Sequence, residues 1–221
     1  MVTPRGYRWA PSEPSGGRTP ARRVHPIETE SYAILRDTVD TSGLPAWTRA
    51  VTERVVHASA DLDYVSDLVC DEHALAMTAE ALRGGSVRVV ADVAMVAAGI
   101  TARDVVCRVG DSRTARLAAE TGLTRSAAAV RLAYDEVGPG AVWVVGCAPT
   151  ALVELVKSDV RPALVIGLPV GFVGAVESKE ALRASGLPAV SNVSAKGGSA
   201  VAAAALNALL YGDPVDGEEP G

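Results

Sequence analysis

The sequence predicts one α/β domain in which a doubly wound parallel sheet carries helices on both faces. Short apolar runs rich in β-branched residues alternate along the chain with longer amphipathic segments, and this alternation is typical of strands and helices taking turns. The apolar runs have almost no polar positions, as expected of strands that are covered on both faces. A chain of 221 residues is long enough for one sizeable core. The pattern therefore favours parallel strands joined by right-handed crossovers.

The individual elements follow from these two patterns in chain order. The predicted strands are the apolar runs 87–91, 105–109, 141–146, 163–167 and 189–193. The predicted helices are the amphipathic segments 28–39, 45–58, 71–83, 112–120, 125–134, 150–158, 177–184 and 198–210. Proline near a helix start and a hydroxyl side chain at its cap are common start signals. They place helix starts at Pro45, Ser112 and Pro149.

Composition sets the limits of the folded domain. Residues 1–24 are rich in Pro, Gly, Ser and Arg and have no sustained apolar period, so they predict a flexible N-terminal arm. Residues 212–221 predict a flexible tail for the same reason. The folded α/β domain is therefore predicted over residues 25–211.

Charge and hydropathy exclude several classes of partner. The net charge is −5, and no block of basic residues interleaved with aromatic residues occurs, which argues against a nucleic-acid partner. No apolar run reaches the roughly 18 residues that a membrane span needs, and the longest, "AVAAAALNALL" at 200–210, is interrupted by Asn207. The N-terminus has no apolar stretch of the kind found in secretory signals. The sequence therefore predicts a cytoplasmic protein that does not bind membranes.

The loops at the carboxyl ends of the predicted strands are the expected binding edge. In open parallel sheets, ligands bind where these loops leave the sheet. Most of the loops combine glycine with a hydroxyl or charged residue, which suits the binding of an anion at a helix N-terminus. For any one loop, ordinary strand termination is the better explanation of the glycine, whereas several such loops at one edge favour binding. The five loops are "ADVAM", "VGDSRT", "GCAPT", "GLPVGFVGAVESK" and "SAKGGS".

The chain lacks several common catalytic and cofactor-binding motifs. A dinucleotide-binding G-x-G-x-x-G, a nucleotide-binding G-x-x-x-x-G-K-[ST] and a hydrolase G-x-S-x-G are all missing. The three histidines are not spaced as metal ligands, so the sequence indicates no metal site. Cys70, Cys107 and Cys147 are odd in number and widely spaced, which fits neither a disulfide framework nor close metal-ligand pairs, and they are predicted to be core residues.

His57 is the candidate acid/base residue. On a helix over 45–58, Trp47, Val51 and Val55 form the apolar stripe, and His57 lies off it on the side of Arg54. A histidine in this position is not expected to be fully buried. Its pKa near neutrality suits proton exchange, and Arg54 could hold a substrate carboxylate beside it. The pattern leaves open whether His57 is an acid/base group or a structural residue.

Several stretches together resemble the precorrin-8X / cobalt-precorrin-8 methylmutase family of cobalamin biosynthesis. They occur in the family's order, cover nearly all of residues 25–210, and include two blocks that are specific to this family, "PVGFVGAVESK" and "TRSAAA". The other matching blocks are "HPIETESYAILR", "RVVHASADLDY", "DVAMVAAGIT", "DSRTARLAAETGL", "GCAPTAL" and "KGGSAVAAAALNAL".

The resemblance implies a fold, an activity and a set of site residues. It implies a flavodoxin-like fold and a homodimer with active sites near the subunit interface. It also implies an isomerase that moves a methyl group from C-11 to C-12 of a tetrapyrrole, without an added cofactor, to give hydrogenobyrinate or cobyrinate. The family's proton donor/acceptor corresponds to His57. Its substrate-binding residues correspond to Ser31, Arg54 and Arg125, and basic positions of its loops to Arg113 and Lys196.

Three positions depart from the family pattern and keep other functions open. Ser112 stands where many members have proline, Cys147 where many have asparagine, and Lys196 in a loop where many have arginine. Lysine offers a point charge instead of the two-pronged guanidinium. A corrinoid-binding carrier without turnover is therefore an alternative. An FMN-binding protein is a weaker one, because the edge is acidic and lacks flanking aromatic residues. The sequence does not decide between a cobalt-loaded and a metal-free substrate.

Overall fold

A computed structural model of the chain describes residues 25–101 and 103–212. The predicted arm at 1–24 lies outside the described residues, as does the predicted tail apart from Gly212. Within the described ranges, six strands form one sheet in the order β1-β6-β5-β4-β2-β3. Their bounds are β1 Leu68–Cys70, β2 Val89–Ala91, β3 Val105–Val106, β4 Val142–Val145, β5 Leu164–Gly167 and β6 Ala189–Asn192.

Strands β2 to β6 are the five predicted strands, and they are parallel to one another. Counted among themselves in chain order, they lie in the order 2-1-3-4-5, which is the order of flavodoxin-like sheets. The predicted fold class is therefore confirmed. In this topology the strand order reverses between β2 and β4, where flavodoxin-like proteins bind their ligands.

The sequence did not predict β1, an antiparallel edge strand. It pairs with β6, and Val69 lies opposite Ser191. The strand has three residues with only partly buried or exposed side chains. Alternation over so short a segment carries too little signal to be read as a strand. Its pairing depends on a neighbour more than 100 residues away in sequence.

All eight predicted helices are present, and two short helices, α3 and α5, are additional. The capping residue of α6 is Asp111 and not the predicted Ser112, because the Asp111 carboxylate accepts a hydrogen bond from the Arg113 amide. The helices are α1 Pro26–Thr38, α2 Ala46–Ser59, α3 Tyr64–Asp67, α4 Glu72–Arg83, α5 Ala94–Gly99, α6 Ser112–Thr121, α7 Arg125–Val137, α8 Pro149–Lys157, α9 Ala175–Ala184 and α10 Ser199–Tyr211.

The helices cover both faces of the sheet, as predicted. Helices α2, α4, α5 and α10 share one apolar cluster with the sheet, and α7, α8 and α9 share the other. The sequence of β4 is apolar throughout because its side chains contact both apolar clusters. Val142 and Val144 belong to the first cluster, whereas Trp143 and Val145 belong to the second, because successive side chains of a strand point to opposite faces.

Small residues bring α10 close to the carboxyl end of β4. Residues 202–205 are all alanine and are buried. A Cβ atom at Gly146 would lie 2.8 Å from the Ala202 Cβ atom, closer than carbon atoms normally approach. The glycine is therefore needed where the chain leaves β4 beside α10. This contact fixes one of the predicted binding loops against the helix layer.

Helix α1 is docked on α2 mainly by polar contacts. Leu35 is its buried apolar residue in the described structure. The buried carboxylate of Glu53 on α2 accepts hydrogen bonds from Arg36 at 2.7 Å, Thr41 at 2.6 Å and Arg49 at 3.0 Å. Burial opposes ionisation of Glu53, but these hydrogen bonds outweigh it and lower its pKa below the ordinary glutamate value.

The described residues include no helix that is both long and apolar enough to cross a membrane. The cytoplasmic location stays a prediction from the sequence. The expectation that all three cysteines are core residues is wrong for Cys147, which is exposed, while Cys70 and Cys107 are partly buried. Cys147 is exposed because it lies in the loop that follows β4 and not in the strand itself.

We expect Glu53→Gln to lower the free energy of unfolding by about 1–3 kcal/mol at pH 7, because it removes a charged acceptor from three donors. Since the folded-state pKa is lowered, this contribution is present above the unfolded pKa of about 4.3 and is lost as the pH falls through the folded-state value. Urea unfolding of both proteins at a series of acidic pH values measures the difference between their free energies of unfolding. The exposed Glu80→Gln is the control, and a difference that stays constant into strong acid would contradict the assignment.

Candidate active site

The carboxyl edge of the sheet gathers the loops that follow β5 and β6. The Gly171 amide donates to the Ala195 carbonyl at 3.2 Å, and the Gly198 amide donates to the Leu168 carbonyl at 2.9 Å. Helix α2 ends at Ala60, whose left-handed backbone conformation turns the chain, and the Asp61 carboxylate that follows contacts Lys196 of the loop after β6. The segment after α2 is therefore a neighbour of the loop after β6, and we call residues 193–198 the rim loop.

His57, near the end of α2, is paired with Ser31 of α1. The Ser31 Oγ atom lies 2.8 Å from His57 Nδ1. The Tyr32 ring stacks on the imidazole with a centroid distance of 5.0 Å and an interplanar angle of 8°. The imidazole is partly buried. Helix α1 thus fixes both the hydrogen bond to one ring nitrogen and the orientation of the ring plane.

Arg54, one turn before His57, forms an ion pair inside the α1–α2 contact. Its Nη1 atom lies 2.5 Å from Glu28 Oε1 and 3.4 Å from the Tyr32 hydroxyl. The two charged side chains are only 18% and 12% exposed. Burial raises the pKa of the Tyr32 phenol, against the opposing effect of the Arg54 hydrogen bond. Arg54 therefore bridges α1 and α2 beside the histidine.

Lys196, in the rim loop, contacts the segment that follows α2. Its Nζ atom lies 2.7 Å from Asp61 Oδ2 and 2.5 Å from Asp63 Oδ2. Hydrogen bonds to these two carboxylates raise the pKa of the lysine. The predicted cation thus joins two loops of its own chain in this structure.

Arg113 and Arg125 lie on the other side of the carboxyl edge, after β3. Arg113 contacts the Asp111 carboxylate at 2.6 Å, and hydrogen bonds from Arg113 lower the pKa of Asp111 to about 2. The exposed Arg125 begins α7 and donates to the Val109 carbonyl at 3.1 Å. Thr124, the cap of α7, is hydrogen-bonded to Thr150 in the "GCAPT" loop at 2.7 Å. These contacts tie the start of α7 to the loop after β4.

Asp92 is a buried carboxylate at the β2/β4 crevice that sequence reasoning missed. It accepts hydrogen bonds from the amides of Gly146, Cys147 and Ala148 at 3.1, 2.9 and 2.8 Å. Burial raises its pKa, although the three amides favour the charged form. The cavity beside it has a volume of about 10 Å³, which is room for about one water molecule. The Asp92 carboxylate thus fixes the loop after β4 through its main-chain amides.

The structure divides the sequence-predicted site residues into two groups. Ser31, Arg54, His57 and Lys196 are linked through α1, α2 and the segment after α2, whereas Arg113 and Arg125 belong to the region after β3. Tyr32 and Glu28 were missed. Both belong to the helix that carries Ser31, but no local pattern indicates that they contact a residue of the next helix.

Metal ligands are not clustered in the part of the chain that the structure describes. No group of three His, Cys, Asp or Glu side chains there could hold an ion. His57 and the carboxylates of the site are instead engaged with a hydroxyl group, amides and basic side chains. The absence of an added cofactor stays a prediction from the family resemblance.

Comparison with known proteins decides the family. Residues 26–212 match the family profile of precorrin-8X methylmutase. The chain belongs to the precorrin-8X methylmutase family. This range contains every site residue described above, and the match confirms the resemblance found in the sequence motifs. Members of the family are isomerases of cobalamin biosynthesis that act on a tetrapyrrole by intramolecular methyl transfer.

Individual methylmutases match almost over their full lengths. The cobalt-precorrin-8 methylmutase of Salmonella typhimurium is 40% identical over 197 residues, covering 84% of this chain and 93% of that protein. The precorrin-8X methylmutase of Pseudomonas aeruginosa is 41% identical over 195 residues, covering 83% and 93%. The crystal structure of a Thermus thermophilus precorrin-8X methylmutase has a TM-score of 0.76 at 32% identity and covers 84% of this chain and 96% of that one.

We expect a double-mutant cycle to show that Arg54 and Glu28 of this methylmutase act as a pair. Arg54→Met and Glu28→Gln should each lower the free energy of unfolding by about 2 kcal/mol, because each leaves the other partly buried charge without its partner. The double variant should cost little more than either single one, with a coupling of about 1–2 kcal/mol. Urea unfolding of the four proteins measures this coupling, and additive effects would contradict a paired role.

Proposed function

We propose that this methylmutase moves a methyl group from C-11 to C-12 of precorrin-8X or cobalt-precorrin-8, giving hydrogenobyrinate or cobyrinate, and that His57 is its proton donor and acceptor. The observation that carries the proposal is the pairing of His57 Nδ1 with Ser31 Oγ at 2.8 Å. Because Nδ1 is hydrogen-bonded to the protein, we assign the proton exchange with the substrate to Nε2.

The Ser31 hydroxyl suits both protonation states of the imidazole. The Ser31 hydroxyl oxygen accepts from Nδ1–H when the ring is charged, and it still accepts from Nδ1–H when the ring has lost its proton from Nε2 and is neutral. The same contact therefore persists while Nε2 gives up a proton and takes it back. A serine in this position orients the histidine and does not have to touch the substrate.

The reaction is an isomerisation, so every atom that the enzyme adds must be returned. The bond between the methyl carbon and C-11 breaks, and a bond between that carbon and C-12 forms. A proton from Nε2 of His57 can stabilise the shifting electron density of the ring and return to Nε2 at the end. Such acid/base assistance typically contributes about 10²–10⁴ in rate, or about 3–5 kcal/mol of the barrier.

Tyr32 supports this role by restricting the imidazole. Its ring lies nearly parallel to that of His57, at a centroid distance of 5.0 Å. Together, the stacking and the Ser31 hydrogen bond limit rotation of the imidazole about both of its side-chain bonds. A pre-oriented acid loses less entropy when the substrate binds. Tyr32 is therefore a positioning residue of the proposed site.

The remaining cations are proposed to hold carboxylates at the edge of the macrocycle. Arg125 is exposed at the carboxyl edge and donates to a neutral carbonyl, so a substrate carboxylate would be its stronger partner. Arg113 and Lys196 already contact aspartates of the chain. A substrate carboxylate would have to share or displace those partners. Arg125 is thus the principal carboxylate-binding residue in this proposal.

We expect His57→Ala to bind the macrocycle but to convert it about 10²–10⁴-fold more slowly, because it removes the proton donor and not the binding edge. Ser31→Ala should lower kcat by a smaller factor, of about 10, with little change in KM, because the imidazole remains but is less well oriented. The exposed His73→Ala is the matched control. Absorption spectra of precorrin-8X and of cobalt-precorrin-8, each mixed with enzyme, follow the conversion to the corrin.

Three results would change this assignment. Turnover by His57→Ala at the parental rate would remove the histidine from the mechanism. Tight binding of both macrocycles by the parent protein without any spectral change would favour a corrinoid carrier. Conversion of one macrocycle and not the other would decide between the cobalt-loaded and the metal-free substrate.

We also propose that the enzyme is a homodimer in which α1 lies near the subunit contact. Ile27 and Ile34 are 67% and 59% exposed, and their spacing of seven residues places them on one side of α1. Ser31 lies between them on the sequence and along the same side of the helix. A second copy covering this side would bury the two isoleucines and form a wall beside His57.

We expect the Ile27→Asp, Ile34→Asp double variant to be monomeric and to lose most of its turnover, because two charges would oppose burial of this side of α1. Sedimentation velocity gives the mass of the parent and variant, and circular dichroism checks that α1 remains folded. Met77→Asp, at an exposed methionine of α4, is the control. A parent protein that sediments as a monomer, or a variant that stays dimeric, would overturn the proposed contact.

A further inference from the structure

Lys179 of α9 is a buried cation that the proposed mechanism does not use. Its side chain is fully buried. The Nζ atom donates to Asn192 Oδ1 at 2.8 Å, to the Ser194 carbonyl at 2.5 Å and to the Lys196 carbonyl at 2.8 Å. An ammonium group has three donors, so these three oxygens satisfy it completely. All three acceptors belong to the end of β6 or to the rim loop that follows it.

Asp67, at the end of α3, contacts the same loop as a hydrogen-bond acceptor, whereas Lys179 contacts it as a donor. Its carboxylate accepts from the amides of Val193 and Ser194 at 3.0 and 2.7 Å. The Asn192 side chain joins the two charges, since its Nδ2 atom donates to Asp67 at 2.8 Å while its Oδ1 atom accepts from Lys179. The cation therefore binds the carbonyls of the loop and the anion binds its amides.

The rim loop is also seated where only glycine fits. Gly197 has a φ of 149°, and a Cβ atom there would lie 2.8 Å from the Pro169 carbonyl oxygen. The next residue, Gly198, donates to the Leu168 carbonyl. The loop after β6 is thus pressed against the loop after β5. Its path is defined by Lys179 and Asp67 on one side and by this backbone contact on the other.

This loop places a lysine and a helix N-terminus at the edge where the substrate is proposed to bind. It carries Lys196, and it leads directly into α10, whose N-terminus at Ser199 has no side-chain cap. The amides at a helix N-terminus carry partial positive charge. Lys196 reaches Asp61 and Asp63, which follow the helix of His57. A displacement of the loop would move its positive groups relative to the histidine.

We infer that Lys179 is a positioning residue that holds the rim loop in the conformation that binds the edge of the tetrapyrrole. The inference rests on the proposed function of the site. Filling the same space with an apolar side chain would avoid burying a charge, and it would leave the Ser194 and Lys196 carbonyls without their donor. The lysine therefore specifies the path of the loop as well as filling the core.

The test compares Lys179→Met with Arg183→Met. Both residues lie on α9. Arg183 contacts the end of β6, where it donates to the Ser191 hydroxyl and to the Asn192 carbonyl. In the described part of the chain these bonds stop short of the rim loop, so Arg183 is a matched control. We expect Lys179→Met to raise KM about 10-fold or more and to change kcat less than about 3-fold, because the loop acts in binding. Arg183→Met should lower the unfolding temperature without this change in KM.

Hydrogen exchange gives a readout that does not depend on turnover. The amides of residues 193–198 should exchange at least about 10-fold faster in Lys179→Met than in the parent, while those of β4 stay protected. Asp67→Asn serves as a second variant if Lys179→Met does not fold, because it weakens the opposite side of the same loop. It should also raise KM and speed exchange at 193–198.

The outcomes separate this inference from the proposed function. If the parent protein converts neither macrocycle, the proposed function fails. The effect of Lys179→Met on the loop is then measured as a change in hydrogenobyrinate binding, monitored by absorbance. A dissociation constant that rises about 10-fold in Lys179→Met supports the positioning role. Unchanged KM or binding together with a lower unfolding temperature would overturn it and leave Lys179 a structural residue.

Discussion

The loops that follow the parallel strands all lie at the carboxyl edge of the sheet. The backbone groups of these loops have no neighbouring strand with which to form hydrogen bonds. Buried polar groups need partners, and here charged side chains supply them. Asp92 accepts the amides of the loop after β4, and Asp67 and Lys179 divide the amides and carbonyls of the rim loop between them. The rigid part of the carboxyl edge is therefore built from ions whose partners are main-chain groups. The site depends on this arrangement because the rim loop carries Lys196, and the loop after β4 is hydrogen-bonded to the cap of α7, which begins at Arg125.

The histidine depends on a second, more exposed contact. Helix α1 buries one apolar residue in the described structure, so its position on α2 is set by directional bonds: the Glu53 cluster, the Arg54–Glu28 ion pair and the Ser31–His57 hydrogen bond. Directional contacts fix orientation more narrowly than apolar packing does. The proposed acid thus receives its orientation from a helix that contributes little to the core. This separation lets the apolar clusters stabilise the sheet while polar contacts define the site.

The cations of the site are less available than their sequence positions suggest. Arg54 and Lys196 contact Glu28, Asp61 and Asp63 of the same chain, and an ion pair that is already formed has less to gain from a substrate carboxylate. Arg125 differs because it donates to a carbonyl. The balance of charge explains how a protein with a net charge of −5 can be proposed to bind a polyacid. Acidic side chains fix some of its cations, and others at the carboxyl edge remain exposed.

The sequence by itself determined the five parallel strands, the eight longer helices, the family and the candidate histidine, because each is encoded in local periodicity or in contiguous motifs. Only the tertiary structure decided the antiparallel pairing of β1, the contact between Ser31 and His57 and the burial of Lys179. Ser31 and His57 are separated by 26 positions, β1 pairs with a strand more than 100 residues away, and Lys179 bonds oxygens 13 to 17 positions beyond it, in another element. The partner of a polar side chain is set by how loops close around the sheet, and local patterns carry no record of that closure.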